Sequence, residues 1–307
     1  MSPAIAFRVY AALLSAMTIW GFSFLAIKDA LSTVPVFSLL FSRFLLATIL
    51  LGTVAGFRRA LRVPRRDLLA LVGLSGLSPV GYFLFETFGV ARTQPSHVAL
   101  IIAIIPITVY LIAFARRQER TSLRKTVGIL TAYAGILLII GLGQREPGAS
   151  LSGDLLVLCA VLCAAARTSL IKDVLRRVTP LQLTFYQFFF SLFVFGPLAA
   201  TDGFGWVSEV STLVALEILF LGVFCSAGAF LAMHYALSYL SATRVAVSAN
   251  LVPLITLAAE VTLLGSALTP IKGIGTAVTL AGVLLTQWGR APDGPPTLDL
   301  EGSIVKR

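Results

Sequence analysis

The sequence has few charged residues for its length. Of its 307 residues only 12% are charged, whereas 57% are hydrophobic, and the mean hydropathy is +0.93. A soluble globular protein needs a larger polar fraction to cover its surface. The composition therefore favours a chain that lies in a lipid bilayer.

The sequence also lacks the short motifs of several enzyme classes. It contains no GxxxxGK[ST] loop for ATP, no HExxH zinc motif and no nucleophile with a matching base. Its three cysteines, Cys159, Cys163 and Cys225, all lie in apolar runs without a histidine or carboxylate to complete a metal site. The prediction is a protein without catalytic residues, metal or cofactor, in which the cysteines are small packing residues.

Ten apolar runs are long enough to span a membrane, which takes about 20 residues. They predict helices over 9–29, 35–56, 67–89, 96–115, 123–142, 152–172, 180–200, 211–237, 242–264 and 268–288. The polar, proline-containing residues 290–307 are predicted to be a disordered cytoplasmic tail.

Basic residues are concentrated in alternate gaps between these runs, although the net charge of +10 could suggest nucleic acid. Eighteen of the 24 fall in those gaps or at the chain ends: Arg8, Arg58, Arg59, Arg62, Arg65, Arg66, Arg116, Arg117, Arg120, Arg124, Lys125, Lys172, Arg176, Arg177, Arg244, Arg290, Lys306 and Arg307. Positive charge marks the cytoplasmic loops of membrane proteins. We therefore expect no nucleic-acid partner, a multi-pass protein of the cell inner (plasma) membrane, and both termini in the cytoplasm.

The chain contains an internal repeat. Ile27-Lys28-Asp29 returns 144 residues later as Ile171-Lys172-Asp173, and Pro106 is matched 147 residues later by Pro253. Each half holds five predicted helices, an odd number, so the second half enters the membrane with the opposite polarity. The prediction is an all-α integral membrane protein of ten helices, as two inverted repeats (1–148 and 149–289) around a central cavity.

Several motifs recur in the order and spacing of a known family. They are Trp20-Gly21-Phe22-Ser23-Phe24, Arg43-Phe44, the run from Ala236 to Ala242 (ALSYLSA), Pro253, and Gly275 with Gly282. In this the chain resembles the EamA-type proteins of the drug/metabolite transporter superfamily, across nearly its whole length. The resemblance implies a ten-helix exporter of small polar metabolites such as amino acids, with helices five and ten at the periphery.

Ionisable residues inside the apolar runs are the main candidates for a substrate site, because they are costly to bury in a membrane. Glu86 lies one turn after Tyr82. It either binds a substrate ammonium or pairs internally, for example with Arg43. Arg43 either binds a substrate carboxylate or makes a structural hydrogen bond between helices.

Further candidates each carry a structural alternative. His97 and His234 are either proton relays or histidines bonded at helix ends, and Glu217 and Glu260 are either coupling carboxylates or partners of Arg167. The full substrate-binding set is predicted as Trp20, Phe22, Arg43, Tyr82, Glu86, His97, Arg167 and Asn250.

Two prolines inside predicted helices, Pro106 and Pro253, are predicted hinges for alternating access, with a passive kink as the alternative. The predicted function is secondary transport, by a monomer in the bilayer, that exports small metabolites, with neutral or aromatic amino acids favoured. The alternative on the same fold is export of cationic drugs or other metabolites. The sequence lacks the motifs that an intramembrane enzyme would need, and nothing in it favours a lipid-flipping or scaffold protein.

Overall fold

The computed structural model describes residues 3–57, 61–115, 123–142, 148–240, 245, 248–249 and 251–287. In these ranges the regular structure is helical and no strand occurs. The predicted tail and the candidate Asn250 lie outside the described residues. The prediction of an all-α protein is confirmed for the part of the chain described.

Thirteen α-helices follow one another through these ranges. They are α1 (Pro3–Ala30), α2 (Val36–Phe57), α3 (Arg65–Ser75), α4 (Tyr82–Arg92), α5 (Pro95–Ile102), α6 (Ile105–Ala115), α7 (Leu123–Leu142), α8 (Leu151–Leu175), α9 (Pro180–Thr201), α10 (Thr212–Leu219), α11 (Phe230–Tyr239), α12 (Leu251–Leu264) and α13 (Pro270–Gln287). Side chains just before two of them satisfy their first N–H groups. Thr179 forms a capping box with Gln182 ahead of α9, and Ser211 accepts from Val214 N at 3.2 Å ahead of α10.

Seven helical stretches of the described residues are long and apolar enough to cross a membrane. They are Pro3–Ala30, Val36–Phe57, Arg65–Arg92, Pro95–Ile112, Leu151–Ile171, Pro180–Thr201 and Thr212–Tyr239. Three further apolar helices are shorter: Thr126–Gly135, Leu251–Leu264 and Pro270–Leu285. The protein is therefore a multi-pass membrane protein. The ten stretches coincide with the ten predicted runs, but only seven reach spanning length, so the count of ten stays a prediction.

Two of the spans contain a π-helical segment that the sequence did not predict. The first π segment, Gly76–Gly81, joins α3 to α4, and the second, Phe220–Ala229, joins α10 to α11. Within the first, Ser78 leaves helical geometry (φ −158°, ψ 124°) next to Pro79. The Ser78 carbonyl accepts a hydrogen bond from Gln187 Nε2 at 3.0 Å. Such segments widen the helix locally and often accompany functional sites.

The fourth span is broken rather than continuous. The α-helix stops after Ile102 and resumes at Ile105, and Ile104 N bonds Ile101 O at 3.2 Å in a tighter turn. Pro106 follows this break in the first turn of α6, where its missing N–H costs least. Pro253 lies in the first turn of α12, so in the described residues it starts a helix rather than interrupting one.

Helices α7 and α13 pack closely against each other through glycines. A Cβ at Gly282 would lie 2.7 Å from both Ala132 Cα and the Gly128 carbonyl oxygen, and one at Gly135 would lie 2.9 Å from Gly275 O. No side chain fits at such distances, so the two backbones meet directly. Elsewhere α2 packs on α9, α4 on α8, and α1 on α12.

Candidate functional site

Four phenylalanines from four helices meet in the interior and define what we call the aromatic cluster: Phe44 (α2), Phe83 (α4), Phe188 (α9) and Phe230 (α11). The ring centroids of Phe44 lie 5.1 Å from Phe83 and 5.2 Å from Phe188, and Phe230 lies 5.8 Å from Phe83 and 5.5 Å from Phe188. Ring pairs at these separations are attractive beyond the area they bury. The four rings form an apolar centre beside which the polar groups of the site lie.

Arg43 lies on one side of this cluster with only 1% of its surface exposed. Its Nε donates to Ser226 Oγ of the second π segment at 3.1 Å, and its guanidinium carbon lies 4.5 Å from the Phe83 ring centroid. Its Nη1 is buried without a hydrogen-bond partner. The hydrogen bond between helices that the sequence offered as one alternative is therefore present, and it leaves donor capacity unused.

Glu86 is buried near Arg43 but is not bonded to it. Tyr82 Oη donates to Glu86 Oε1 at 3.0 Å, while Oε2 is buried without a partner. Arg43 and Glu86 are both buried, yet the described residues contain no ion pair between them. The predicted alternative of a direct Arg43–Glu86 pair is therefore not what the structure has. Two opposite charges are instead left with unused bonding capacity in the interior.

Arg167 lies against another ring of the aromatic cluster, with its guanidinium carbon 5.9 Å from the Phe230 ring centroid. Its Nη2 donates to Gln187 Oε1 at 3.1 Å and contacts His234 Nε2. Sequence reasoning offered Glu217 or Glu260 as its partner. Among the described residues Glu217 makes no ion pair with Arg167, and Glu260 pairs with Lys272 at 3.5 Å instead.

The contacts of His234 fix its tautomer. A guanidinium only donates, so His234 Nε2 must accept from Arg167 and the proton must sit on Nδ1. Nδ1–H then donates to Thr184 Oγ1 at 2.8 Å, and Thr184 donates to Pro180 O at 2.7 Å. His234 is therefore neutral here and fully buried, rather than a residue at a helix end.

The predicted residues of helix one separate onto two faces. Trp20 Nε1 donates to Cys225 O at 3.2 Å, and its ring lies 5.2 Å from Phe230, so Trp20 borders the aromatic cluster. Phe22, two residues further on, is 40% exposed and has no ring contact with another described residue. On a helix, residues two apart point in different directions, and the structure does not bring Phe22 to the group.

His97 belongs to a separate buried cluster that joins the two halves of the chain. His97 Nδ1 lies 3.3 Å from Asp154 Oδ2, and Thr93 Oγ1 donates to Asp154 Oδ1 at 2.7 Å. Close in sequence, Ser96 N donates to Glu260 Oε2 at 3.2 Å. These residues lie at the helix ends that the charge pattern places outside the cell. We call His97, Asp154, Thr93, Ser96 and Glu260 the end cluster.

Replacing Asp154 by asparagine is expected to destabilise the folded protein by about 1–3 kcal/mol, because a buried group that loses its partner bears its full desolvation cost. Thermal unfolding in detergent would measure this. Glu209→Gln is the matched control, since Glu209 is exposed and its loss should leave the unfolding temperature unchanged. Equal stability of the two variants would show that the His97–Asp154 contact contributes nothing.

Several residues of the site were not singled out from the sequence: Ser226, Phe230 and Asp154. For Phe230 the internal repeat of the sequence contained a signal. Phe188 follows Phe44 by 144 residues and Phe230 follows Phe83 by 147, the same two offsets that relate the motifs. In the described residues no group of three or more histidines, cysteines or carboxylates could hold a metal.

Buried ionisable residues of both signs beside an aromatic cluster, inside a multi-pass helical bundle, are typical of membrane proteins that bind small polar molecules. Comparison with known proteins gives the family. The EamA-like transporter family matches residues 7–141 and 151–288, and the chain belongs to this family. The protein is thus a membrane transporter, with a small molecule as its substrate.

Similar proteins give the same class. An uncharacterized transporter of Archaeoglobus fulgidus is 29% identical over 88% of this chain and 94% of its own length. A probable terminal-alkyne amino-acid exporter of Streptantibioticus cattleyicolor is 28% identical over 90% and 92%. A crystal structure with 18% identity superimposes with a TM-score of 0.64 over 93% of this chain and 96% of that one, a likeness that concerns the fold alone.

Proposed function

We propose that this transporter exports small amino acids with neutral or aromatic side chains across the inner membrane, with both termini in the cytoplasm. The observation that carries the proposal is the pair Arg43 and Glu86, each buried with one polar atom unpartnered. An amino acid carries charges of both signs, an ammonium that suits Glu86 and a carboxylate that suits a buried arginine, and the aromatic cluster beside these groups offers an apolar surface for its side chain. One similar protein is named as a probable amino-acid exporter.

Alternating access by two inverted five-helix halves is the mechanism we propose. It is supported by the repeat offsets, by the end cluster between the halves, and by the two π segments, each of which leads into a helix that carries a ring of the aromatic cluster. In this mechanism the contacts of the end cluster keep the outer side of the protein closed, both when the site is open to the cytoplasm and when it is closed to it. Opening outward then requires the contacts of Asp154 and Glu260 with the first half to separate.

Cationic drugs fit this interior less well than amino acids. Among the described residues around the aromatic cluster, two buried arginines, Arg43 and Arg167, are accompanied by one buried carboxyl group, Glu86. A ligand with only positive charge would add to an existing excess of positive charge.

The test is uptake of labelled phenylalanine into proteoliposomes that hold the purified protein, with and without a pH gradient. We expect uptake above empty liposomes that unlabelled neutral and aromatic amino acids compete away. The response to the gradient reports proton coupling. Absence of uptake by protein shown to be folded would contradict the proposed substrate class.

The break before Pro106 leads to a prediction about rate. In Pro106→Ala the new N–H can bond a carbonyl four residues back and extend the helix across the break, which stiffens the fourth span. We expect turnover to fall several-fold while the affinity for phenylalanine changes little. Pro253→Ala tests the related position in the other half. Equal changes in turnover and affinity would argue against a hinge at either proline.

A further inference from the structure

Arg167 is a buried cation whose described partners are all neutral. It is 5% exposed, and it contacts Gln187 Oε1, His234 Nε2 and the Phe230 ring. Its Nε is buried and has no hydrogen-bond partner. Among the described residues no carboxylate lies within salt-bridge distance of it.

Five other described carboxylates make their contacts elsewhere. Asp67 pairs with Arg177, Asp154 with His97, Glu260 with Lys272, Asp202 with Ser38, and Glu86 with Tyr82. None of these contacts reaches Arg167.

A buried guanidinium without an anion is unstable unless something compensates its charge. His234 cannot do so, because it must be neutral to accept from Arg167. Gln187 contributes only a dipole, and Gln187 Nε2 is occupied by the Ser78 carbonyl. Arg167 therefore has both the uncompensated charge and a free Nε–H donor, the two features that a carboxylate satisfies best.

We propose that Arg167 binds the carboxylate of the transported molecule, and that this carboxylate is the group the site requires. The inference rests on the proposed function for its premise that the interior binds a small metabolite. Arg43 lies against Phe83 and Arg167 lies against Phe230, and these two rings are 5.8 Å apart. A ligand whose carboxylate reaches Arg167 then lays its apolar part on these rings, with Glu86 beyond them to receive an ammonium where the ligand has one.

The charges of the buried groups define which class of ligand should bind. Arg43 and Glu86 offset each other, so the excess charge is that of Arg167, and one carboxylate neutralises it. A monocarboxylate without an amino group should therefore bind, whereas an amine without a carboxylate should not.

The experiment compares matched acids and amines by their effect on the unfolding temperature of the purified protein. The acids are acetate, benzoate and 3-phenylpropionate, and the amines are ethylamine, benzylamine and phenethylamine. Ligands that bind the folded state raise this temperature, and at a fixed concentration a tighter ligand raises it more. We expect 3-phenylpropionate to give the largest shift and the amines to give none.

The variants assign the effect to Arg167. In Arg167→Gln the acids should bind at least about 30-fold more weakly, as expected when one partner of a buried charged contact is removed. Arg92→Gln is the control, because Arg92 also lies over a phenylalanine ring, at 5.4 Å from Phe88, but is exposed; it should bind the acids like the original protein. If the glutamine variant does not fold, Arg167→Lys takes its place. It should weaken binding of the acids by about tenfold, because lysine carries a point charge and lacks the planar guanidinium that can donate two parallel hydrogen bonds to a carboxylate.

The inference is overturned if no acid shifts the unfolding temperature, if amines shift it equally, or if the Arg167 variants bind acids unchanged. These outcomes are separate from those of the proposed function. Shifts by the acids without phenylalanine uptake would remove the amino-acid substrate and keep the carboxylate site. Phenylalanine uptake with unchanged affinity in Arg167→Gln would keep the amino-acid substrate and remove the carboxylate site at Arg167.

Discussion

Glu86→Gln is expected to reduce phenylalanine uptake by about 30-fold or more, without loss of folded protein. Glutamine keeps the shape of the side chain and can still accept from Tyr82, so the fold should be retained. It removes the negative charge whose Oε2 is buried and unpartnered. Truncating one partner of a buried charged contact costs about 2–5 kcal/mol, and 2 kcal/mol corresponds to about 30-fold in affinity.

Two controls separate the charge from packing in this experiment. Glu86→Asp keeps the charge on a shorter side chain and should recover part of the uptake. Glu209→Gln removes an exposed carboxylate and should leave uptake unchanged. Uptake by Glu86→Gln at the original rate and affinity would take Glu86 out of the substrate site.

Gly282→Ala is expected to destabilise the folded protein by about 1–3 kcal/mol, the usual cost of overpacking a close contact. The new methyl group would lie 2.7 Å from Ala132 Cα and from the Gly128 carbonyl. Both are backbone atoms that cannot rotate away, so α7 and α13 must move apart. Thermal unfolding in detergent measures the loss, and Gly282→Leu should increase it.

The same helix supplies the matched control. Gly273 also lies in α13, but a Cβ there meets nothing within 4 Å. Gly273→Ala should therefore be neutral, or stabilising by up to about 1 kcal/mol, because alanine is the better helix former. If Gly282→Ala were as stable as Gly273→Ala, the close contact between α7 and α13 would not contribute to stability.

The sequence predicted the helical runs because burial in a bilayer demands long apolar segments, which hydropathy detects directly. It could not predict the two π segments. The first contains Pro79, but the second contains no proline, so the local sequence gives no common cause. Their geometry depends on packing against other helices, as the bond from Gln187 to the Ser78 carbonyl illustrates.

The sequence predicted some residues of the site and missed others for a related reason. Arg43, Glu86 and Arg167 attracted attention because charge inside an apolar run is costly. Their partners depend on the rotation and depth of each helix, which spacing along one helix does not give. His234 therefore looked like a residue near a helix end, although it accepts from Arg167. Asp154 was not singled out: it lies in the first turn of α8, where acids are common, and only the folded structure brings it to His97 and Thr93.

The most direct test of the central claim is counterflow in proteoliposomes. Liposomes loaded with unlabelled phenylalanine are diluted into labelled phenylalanine, and the labelled molecules inside are followed over time. One substrate site that opens alternately to each side exchanges internal for external molecules, so the account predicts a transient accumulation of label above the external concentration. This overshoot should be absent in Glu86→Gln. A simple rise to equal concentrations, with no overshoot in the original protein, would contradict the account.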